Sequence, residues 1–302
     1  TVTGYTCTPT TMAANTTAVT VSYSEGGVTK TTTTPVTVTS ISNTLASNSW
    51  ATIRAVSDAG KGSNYWSVGD AKGITINGKV GATTFSNLAI SVFILGFNHN
   101  ASREGSNRIH FQIGKINGTL VGLVDGNYGN STSTTGAFTM NTSYTNSGGW
   151  NNSHMRKTVL GSNSTSATSP AANTLLAALP ADLRAVMKPA TKYSDNTGGG
   201  SDTASYVTST TDLLPLLSEF EYHGARTYAN SAEKNYQAQY DYYKAGNSRV
   251  HYKHNATGTA ARAWCRSVSS SSYYGFCLVN TDGSATAHYA NGSWALAPCF
   301  FV

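Results

Sequence analysis

The sequence predicts an α+β fold preceded by a short β-unit, and three patterns along the chain support this. Residues 17–23 alternate as strands do, the region from Trp50 onward mixes short strands with a few short helices, and residues 276–302 read as a β-meander. We therefore expect a β-unit over 1–40, a linker over 41–49 and a larger domain over 50–302.

Composition limits the classes to which this chain can belong. Of its 302 residues, 11% are charged and 39% are hydrophobic, which is enough apolar surface for a folded core. The most apolar run, residues 88–97, is interrupted by Ser91 and Gly96, so no membrane span is predicted. The net charge of +6 comes from scattered basic residues, with Arg156-Lys157 the densest pair, so no nucleic-acid partner is expected.

The N-terminal segment reads as strands joined by a hairpin. Residues 17–23 and 28–38 are rich in β-branched side chains and flank a turn at Gly26-Gly27. The run Tyr5-Thr6-Cys7-Thr8-Pro9-Thr10, followed by residues 19–28, resembles the closing half of a bacterial immunoglobulin-like domain. Because such a domain needs a second sheet, the resemblance implies partial immunoglobulin-like strands whose partners lie upstream in a longer polypeptide.

Helix signals are short and few. Ser169-Pro170 is a start signal for an apolar turn over residues 174–179. Asn230 and Glu233 fit a capping box for a helix that Gly246 ends. We interpret the tyrosines on one face of that helix as core packing; they are Tyr236, Tyr240 and Tyr243.

The C-terminal segment predicts strands separated by tight turns. The strands are expected at 276–279, 285–289 and 293–302, with turns at 280–283 and 291–292. Pro298 cannot donate a ladder hydrogen bond, so the last strand should lie at a sheet edge or be bulged there.

Few residues are candidates for catalysis or metal binding. His99, Glu104 and His110 are close in the chain, but their spacing matches no metal-ligand pattern, and a structural role is favoured. Glu219 and Glu221 flank one residue of an apolar run, and a strand there would point both carboxylates at one face. They could then act as an acid–base pair, although solvated or salt-bridged carboxylates are the commoner outcome.

The cysteines and a glycine triplet carry no catalytic signature either. One disulfide among the C-terminal cysteines is an option, but buried thiols are favoured; the three are Cys265, Cys277 and Cys299. Gly198-Gly199-Gly200 has no lysine after it and is interpreted as a flexible surface loop. We predict no catalytic residue, no cofactor and no metal ion.

One segment has the composition of a binding surface. Between residues 267 and 293 the polar positions are mostly Ser, Tyr, Asn and Thr, the residue types of antibody binding loops. A merely polar hairpin surface is the alternative. The predicted ligand-binding face consists of Ser269, Ser270, Ser271, Ser272, Tyr273, Tyr274, Asn280, Thr281, Asp282, Ser284, Thr286, His288, Tyr289 and Asn291.

A series of short motifs in order along residues 46–302 resembles a known family. The motifs are Trp50-Ala51-Thr52-Ile53, Trp66-Ser67-Val68-Gly69-Asp70, Ile94-Leu95-Gly96-Phe97-Asn98-His99, Arg108-Ile109-His110-Phe111, Gly149-Trp150-Asn151-Asn152-Ser153-His154-Met155-Arg156, Leu179-Pro180-Ala181-Asp182-Leu183, Leu216-Leu217-Ser218-Glu219-Phe220-Glu221, Trp264-Cys265-Arg266-Ser267 and Ala297-Pro298-Cys299-Phe300. Together they are similar to the C-type-lectin-fold variable proteins of diversity-generating retroelements, found in gut bacteria and their phages.

That resemblance implies a C-type-lectin-like fold whose variable region is 264–294. Scaffold positions would stay constant while the polar residues between them change. The scaffold positions are Trp264, Arg266, Phe276, Leu278 and Trp294. The tripeptides through which calcium-dependent lectins bind sugars do not occur in this sequence, so no calcium site is predicted.

The predicted function is recognition without catalysis. We expect an extracellular location on a virion appendage, such as a phage tail or head fibre, or on a bacterial cell surface as an adhesin. The partners would be a host-surface protein or glycan and other virion or surface-protein subunits, with a homotrimer as one option. The alternatives are a purely structural virion or fibre protein and a glycan hydrolase, which would need Glu219, Glu221, Asp70 or Asp282 to converge in one cleft.

Overall fold

The computed structural model describes residues 4–13, 16–38, 40–132 and 136–302. The chain divides into two compact units, Thr1–Asn43 and Thr44–Val302. The boundary falls within the segment 41–49 predicted as a linker, and Leu45 is already buried in the second unit. In the described parts of the chain, no helix is long and apolar enough to cross a membrane.

The first unit contains one antiparallel sheet of three strands in the order β1 (Tyr5–Thr8), β2 (Ala18–Glu25) and β3 (Val28–Pro35). The strands predicted at 17–23 and 28–38 are present as β2 and β3. Gly26 and Gly27 connect them with φ of 56° and 78°, because glycine adopts the left-handed backbone of a tight hairpin at no steric cost.

The second unit is built mainly from strands. They are β4 (Ala71–Val80), β5 (Thr83–Phe97), β6 (Ile109–Ile116), β7 (Thr119–Gly122), β8 (Ala190–Asp195), β9 (Val207–Asp212), β10 (His251–Lys253), β11 (Ala256–Ala261), β12 (Ala263–Val268), β13 (Gly275–Val279), β14 (Ala285–Tyr289) and β15 (Cys299–Phe301). A seven-stranded sheet has the order β11-β10-β7-β6-β5-β4, with β15 paired to β6. Two smaller antiparallel sheets have the orders β12-β13-β14 and β8-β9.

The hydrophobic core joins the large sheet to the small three-stranded sheet. One cluster combines Phe93 of β5 and Phe301 of β15 with Cys265 of β12 and Cys277 of β13, all fully buried. The described cysteines of the chain are free thiols, as favoured from the sequence. The small sheet is therefore anchored on its inner side, and its outer strand β14 is left half-exposed.

The helices are mostly single turns. They are α1 (Trp50–Asp58), α2 (Gly62–Tyr65), α3 (Ala101–Glu104), α4 (Gly149–Asn152), α5 (Leu175–Ala178), α6 (Ala181–Arg184), α7 (Glu219–His223) and α8 (Asp241–Lys244), with 3₁₀ turns at Leu45–Ser47, Ala204–Tyr206 and Ser231–Asn235 and a π-turn at Met155–Val159. Strand accounts for 35% of the described residues and helix for 19%.

The predicted α+β class with a C-type-lectin-like fold is therefore wrong: the protein is predominantly β. Helices with a side-chain N-cap, such as α5 and α7, end after about one turn. Pro180 separates α5 from α6, and Gly224, with φ of 70°, ends α7 in a left-handed cap.

The helix predicted from Asn230 to Tyr243 is also wrong. The chain makes one 3₁₀ turn, leaves the helical path and forms α8 later. The backbone between these turns is satisfied by distant partners: the Asn100 side chain donates to the Tyr236 carbonyl, and the Tyr240 amide donates to the Glu221 carbonyl. Tyr240 and Tyr243 are nevertheless buried, as the predicted core role requires.

The strands predicted at 276–279 and 285–289 are present as the hairpin of β13 and β14. The three-stranded meander predicted at the C-terminus is wrong, because β15 pairs with β6 and not with β14. Pro298 lies just before β15, so its missing amide removes nothing from the ladder. The Pro298 carbonyl accepts from Ile113, and Phe301 lies between β6 and Lys188. β15 pairs with β6 alone among the described strands, so it lies at an edge of its sheet, which is one of the two predicted alternatives. This edge is nevertheless buried, and Lys188 and Pro215 form hydrogen bonds along it.

Candidate functional site

Four tyrosines form one aromatic surface, which we call the tyrosine face: Tyr144, Tyr273, Tyr274 and Tyr289. The Tyr144 ring contacts the other three, with centroid distances of 6.3, 4.6 and 4.7 Å respectively. Among the described residues of the second unit, the exposed large hydrophobic side chains are Tyr144 (41%), Tyr273 (59%) and Tyr289 (37%). The exposed aromatic area of this unit is thus gathered in one place.

Beside the tyrosine face lies a polar depression of about 260 Å³, which we call the serine cleft. Its lining residues are Tyr228, Ser269, Ser271, Ser272, Tyr274, Gly275, Ala287, His288 and Tyr289. None is a lysine, an arginine or a carboxylate. Burial and the nearby Arg262 lower the pKa of His288, so this imidazole is neutral at neutral pH.

Two of the side chains that line the cleft each contain a buried polar atom with no hydrogen-bond partner among the described residues. These atoms are Oγ of Ser272 and Nδ1 of His288. Buried polar atoms in folded proteins are nearly always paired with protein, water or a bound molecule, so these two atoms remain available to a group that enters the cleft. A hydroxyl and a neutral imidazole nitrogen can each donate or accept.

Asn146 holds the loop that carries the cleft serines. Its side-chain amide donates to the carbonyls of Ser272 (2.6 Å), Gly275 (3.0 Å) and Ser269 (3.5 Å), and its backbone amide donates to the Tyr273 carbonyl (2.9 Å). Asn146 itself is fully buried. One side chain therefore satisfies several loop carbonyls and fixes residues 269–275 in one conformation.

The glycine triplet predicted as a surface loop has Gly199 exposed, and it packs against this hub. The Gly199 amide donates to the Asn146 side-chain carbonyl (2.8 Å). A Cβ at Gly198 would lie 2.1 Å from the Asn146 backbone oxygen, and one at Gly200 would lie 2.9 Å from the Tyr273 nitrogen. Gly198 and Gly200 are needed because two backbone segments approach each other too closely there for side chains.

The opposite wall of the cleft is held by Glu219. Its carboxylate accepts from the backbone amides of Thr227, Tyr228 and Ala229, and the Tyr228 carbonyl accepts from Ser270. Burial raises the pKa of Glu219 although these amides oppose the shift. The strand expected over this run is wrong, because Glu219 lies on α7. Its carboxylate positions a loop and is not paired with that of Glu221.

Glu221 points away from Glu219 into a buried ionic cluster. Lys192 Nζ lies 2.6 Å from Glu104 Oε2 and 3.0 Å from Glu221 Oε1, and Arg266 makes a two-pronged hydrogen bond to Glu221. All four side chains are buried. Burial opposes ionisation of Glu221, yet Arg266 and Lys192 hold its pKa below the usual range.

The histidines predicted to be structural adjoin this cluster. Ligand atoms of His99, Glu104 and Glu221 lie within 4.8 Å of one another, a spacing that could hold a metal ion. The Lys192 ammonium already bridges the two carboxylates, so a metal ion would have to displace it. Burial lowers the pKa of His99 to about 3 and that of His110 well below 6.5, and both rings are therefore neutral.

Glu233 allows the effect of burial on a carboxyl group to be tested by its influence on stability. Burial raises its pKa to about 7, although Ser267 donates a hydrogen bond to it. Folding favours the neutral form of the Glu233 carboxyl. The folded state is therefore most stable, with respect to this group, below pH 4.5, and it loses that stability as the pH rises through 7. When the pH is raised from 4 to 8, we expect the free energy of unfolding of Glu233→Gln to increase by on the order of 3 kcal/mol relative to that of the unmodified chain.

Urea denaturation of both proteins at several pH values measures this difference, and other titrating groups cancel in the comparison. If the difference in free energy of unfolding between the two proteins did not change with pH, the raised pKa of Glu233 would be contradicted.

The predicted scaffold residues lie beneath the tyrosine face and serine cleft. Arg266, Phe276 and Leu278 are fully buried, and Trp264 donates from Nε1 to the Phe138 carbonyl at 2.9 Å. Trp294 is 7% exposed and packs on His288, with ring centroids 4.7 Å apart.

The structure divides the predicted ligand-binding face into two ends of one hairpin. The tyrosine end brings together Ser269, Ser270, Ser271, Ser272, Tyr273, Tyr274, His288 and Tyr289, whereas the turn end carries Asn280, Thr281, Asp282 and Ser284. Thr286 pairs with Leu278 between the two ends, and Asn291 is half-buried after β14. Tyr144 and Tyr228 were missed because they come from distant loops with no local signal.

Comparison with known proteins identifies a family but no characterised relative. No curated protein and no solved structure matches the chain significantly. The model of the DUF6273 family, described as a domain of unknown function, matches residues 131–302, the part of the chain that carries the tyrosine face and the serine cleft. Because this match covers more than half of the 302 residues, the chain belongs to the DUF6273 family.

Proposed function

We propose that the second unit is a recognition module that binds a ligand on another surface through the tyrosine face and the serine cleft. The observation that carries this proposal is the coincidence of three exposed tyrosines with a polar cleft. Tyrosine supplies a large amphipathic contact area at low entropic cost, while serine supplies adaptable hydrogen bonds. Exposed aromatic patches on soluble domains are typical of interaction sites.

The rigidity of the site supports the same function. Asn146 fixes the serine loop and Glu219 fixes the Tyr228 loop, each through several hydrogen bonds to backbone groups. A surface that is ordered before binding loses less conformational entropy when the ligand arrives. We therefore infer a preformed site.

The sequence resemblance supports this location too. The segment 264–294, which resembles the variable region of retroelement-diversified proteins, supplies Tyr273, Tyr274 and Tyr289, while its tryptophans lie underneath. We propose that the module acts outside the cell, on a phage appendage or a bacterial surface, and attaches to a host surface.

Binding to intact bacterial cells tests the proposal. The fluorescently labelled chain is titrated onto a panel of gut bacterial strains, and bound protein is measured by flow cytometry. We expect Tyr273→Ser and Tyr289→Ser each to weaken binding to a positive strain at least tenfold, because central tyrosines commonly contribute about 2 kcal/mol to an interface.

Tyr5→Ser is the matched control, since Tyr5 is 50% exposed but lies in the first unit. Equal loss in the control and the face variants would contradict the proposal. Self-association that Tyr273→Ser abolishes, without cell binding, would favour the structural alternative, in which this face packs against another subunit.

A further inference from the structure

We propose that the serine cleft binds an uncharged saccharide of one or two sugar residues, without a metal ion; this rests on the proposed recognition function. The juxtaposition that carries the inference is an uncharged cleft, tyrosine walls and two unpaired buried polar atoms. Each of the three restricts the chemistry of the ligand.

The absence of charge in the cleft lining excludes most ionic ligands. A sialylated or phosphorylated ligand needs a cation to replace its hydration, and a basic peptide needs a carboxylate. The lining residues described for the cleft offer neither, and the one titratable ring among them, His288, is neutral at neutral pH. A ligand whose polar groups are hydroxyls matches this surface.

The tyrosine walls fit the apolar side of a sugar. A pyranose ring presents C–H bonds on one face and hydroxyls around its edge. Tyr274 and Tyr289 both line the cleft, with ring centroids 5.2 Å apart and an angle of 70° between the ring planes. A sugar ring that stacks on one tyrosine would therefore contact the edge of the other. The volume of about 260 Å³ is just below the roughly 300–1,000 Å³ of drug-sized sites, which favours a short glycan segment.

The unpaired polar atoms fit the sugar's edge. Ser272 Oγ and His288 Nδ1 each need a partner that can donate or accept, and a hydroxyl does both. A site built to pair a hydroxyl discriminates strongly against ligands that lack one. Ser272 is therefore the specificity residue to change, because its side chain makes no hydrogen bond in the described structure whose loss would affect folding.

The experiment uses a strain that binds the full chain. Cells are treated with periodate, which oxidises vicinal diols, or with proteinase K, and binding is repeated in EDTA and at high salt. We expect periodate to abolish binding, with proteinase K, EDTA and salt having little effect. On an array of neutral and acidic oligosaccharides we expect a neutral ligand, with affinity reduced about tenfold in Ser272→Ala. Affinity should be unchanged in the control Ser86→Ala, which alters an exposed serine of β5.

Three outcomes would overturn the inference. Binding that proteinase K removes and periodate spares would mean a protein ligand, and the proposed recognition function would stand. Binding restricted to acidic glycans, or dependent on a divalent cation, would refute the uncharged, metal-free chemistry. Failure to bind any strain would count against the recognition function itself.

Discussion

Replacing Arg266 by methionine is expected to lower the free energy of unfolding by about 3–5 kcal/mol, the usual cost of removing one partner from a buried ion pair. Arg266 is fully buried, and its guanidinium makes two hydrogen bonds to Glu221 and one to the Leu216 carbonyl. Without it, two buried carboxylates, Glu104 and Glu221, would share the single ammonium of Lys192. Methionine fills similar volume, so the change tests charge more than packing.

The double variant Arg266→Met/Glu221→Gln separates these effects. Removing one charge of each sign leaves Lys192 paired with Glu104, and we expect about half of the lost stability to return. Urea denaturation of the unmodified chain and both variants measures this. A double variant as unstable as Arg266→Met would show that lost packing or hydrogen bonds dominate.

Replacing Asn146 by alanine is expected to cost about 3 kcal/mol of stability and to weaken ligand binding as well. The substitution leaves the Ser272 carbonyl without its side-chain donor and the Gly199 amide without its acceptor, and each unsatisfied buried group costs about 1–3 kcal/mol. The serine loop would then gain conformational freedom that binding must remove. We expect affinity for the positive bacterial strain to fall at least tenfold although Asn146 does not line the cleft.

Asn152→Ala is the matched control, because Asn152 is exposed and its side chain accepts only a surface hydrogen bond from Lys157 among the described contacts. Thermal unfolding and cell binding at a temperature where each variant is folded distinguish loop disorder from global unfolding. A folded Asn146→Ala protein with unchanged affinity would contradict the role of Asn146 in preforming the site.

Elements that depend on neighbouring residues were predictable. The Gly26-Gly27 hairpin and the turn at 280–283 follow from residues that tolerate tight backbone turns, and both are present. The burial of Tyr240 and Tyr243 also agrees with the predicted core role. The class of the fold was not predictable in this way. Local signals mark where a helix can start, but they do not show that hydrogen bonds to distant residues replace the helical ones after a single turn.

Glu219 and Glu221 illustrate the limit most clearly. Their apolar neighbours favoured a strand, but Ser218 caps a helix there, and the two carboxylates turn to different partners. Lys192 and Arg266, which neutralise Glu221, come from β8 and β12. Charges this far apart in the chain carry no pattern that sequence reasoning can detect.

The sequence by itself determined the C-terminal hairpin, the burial of its apolar positions and the Tyr- and Ser-rich composition of its surface, because strand alternation and turn chemistry act over a few residues. Only the tertiary structure decided which of those residues meet. It placed Tyr144 against Tyr273 and Tyr289, set Tyr228 across the cleft, and moved the turn at 280–283 to the far end of the hairpin. These arrangements depend on hydrogen bonds and packing between segments far apart in the chain, such as Tyr228 and Ser270, which are 42 residues apart, and Asn146 and Ser272, which are 126 residues apart.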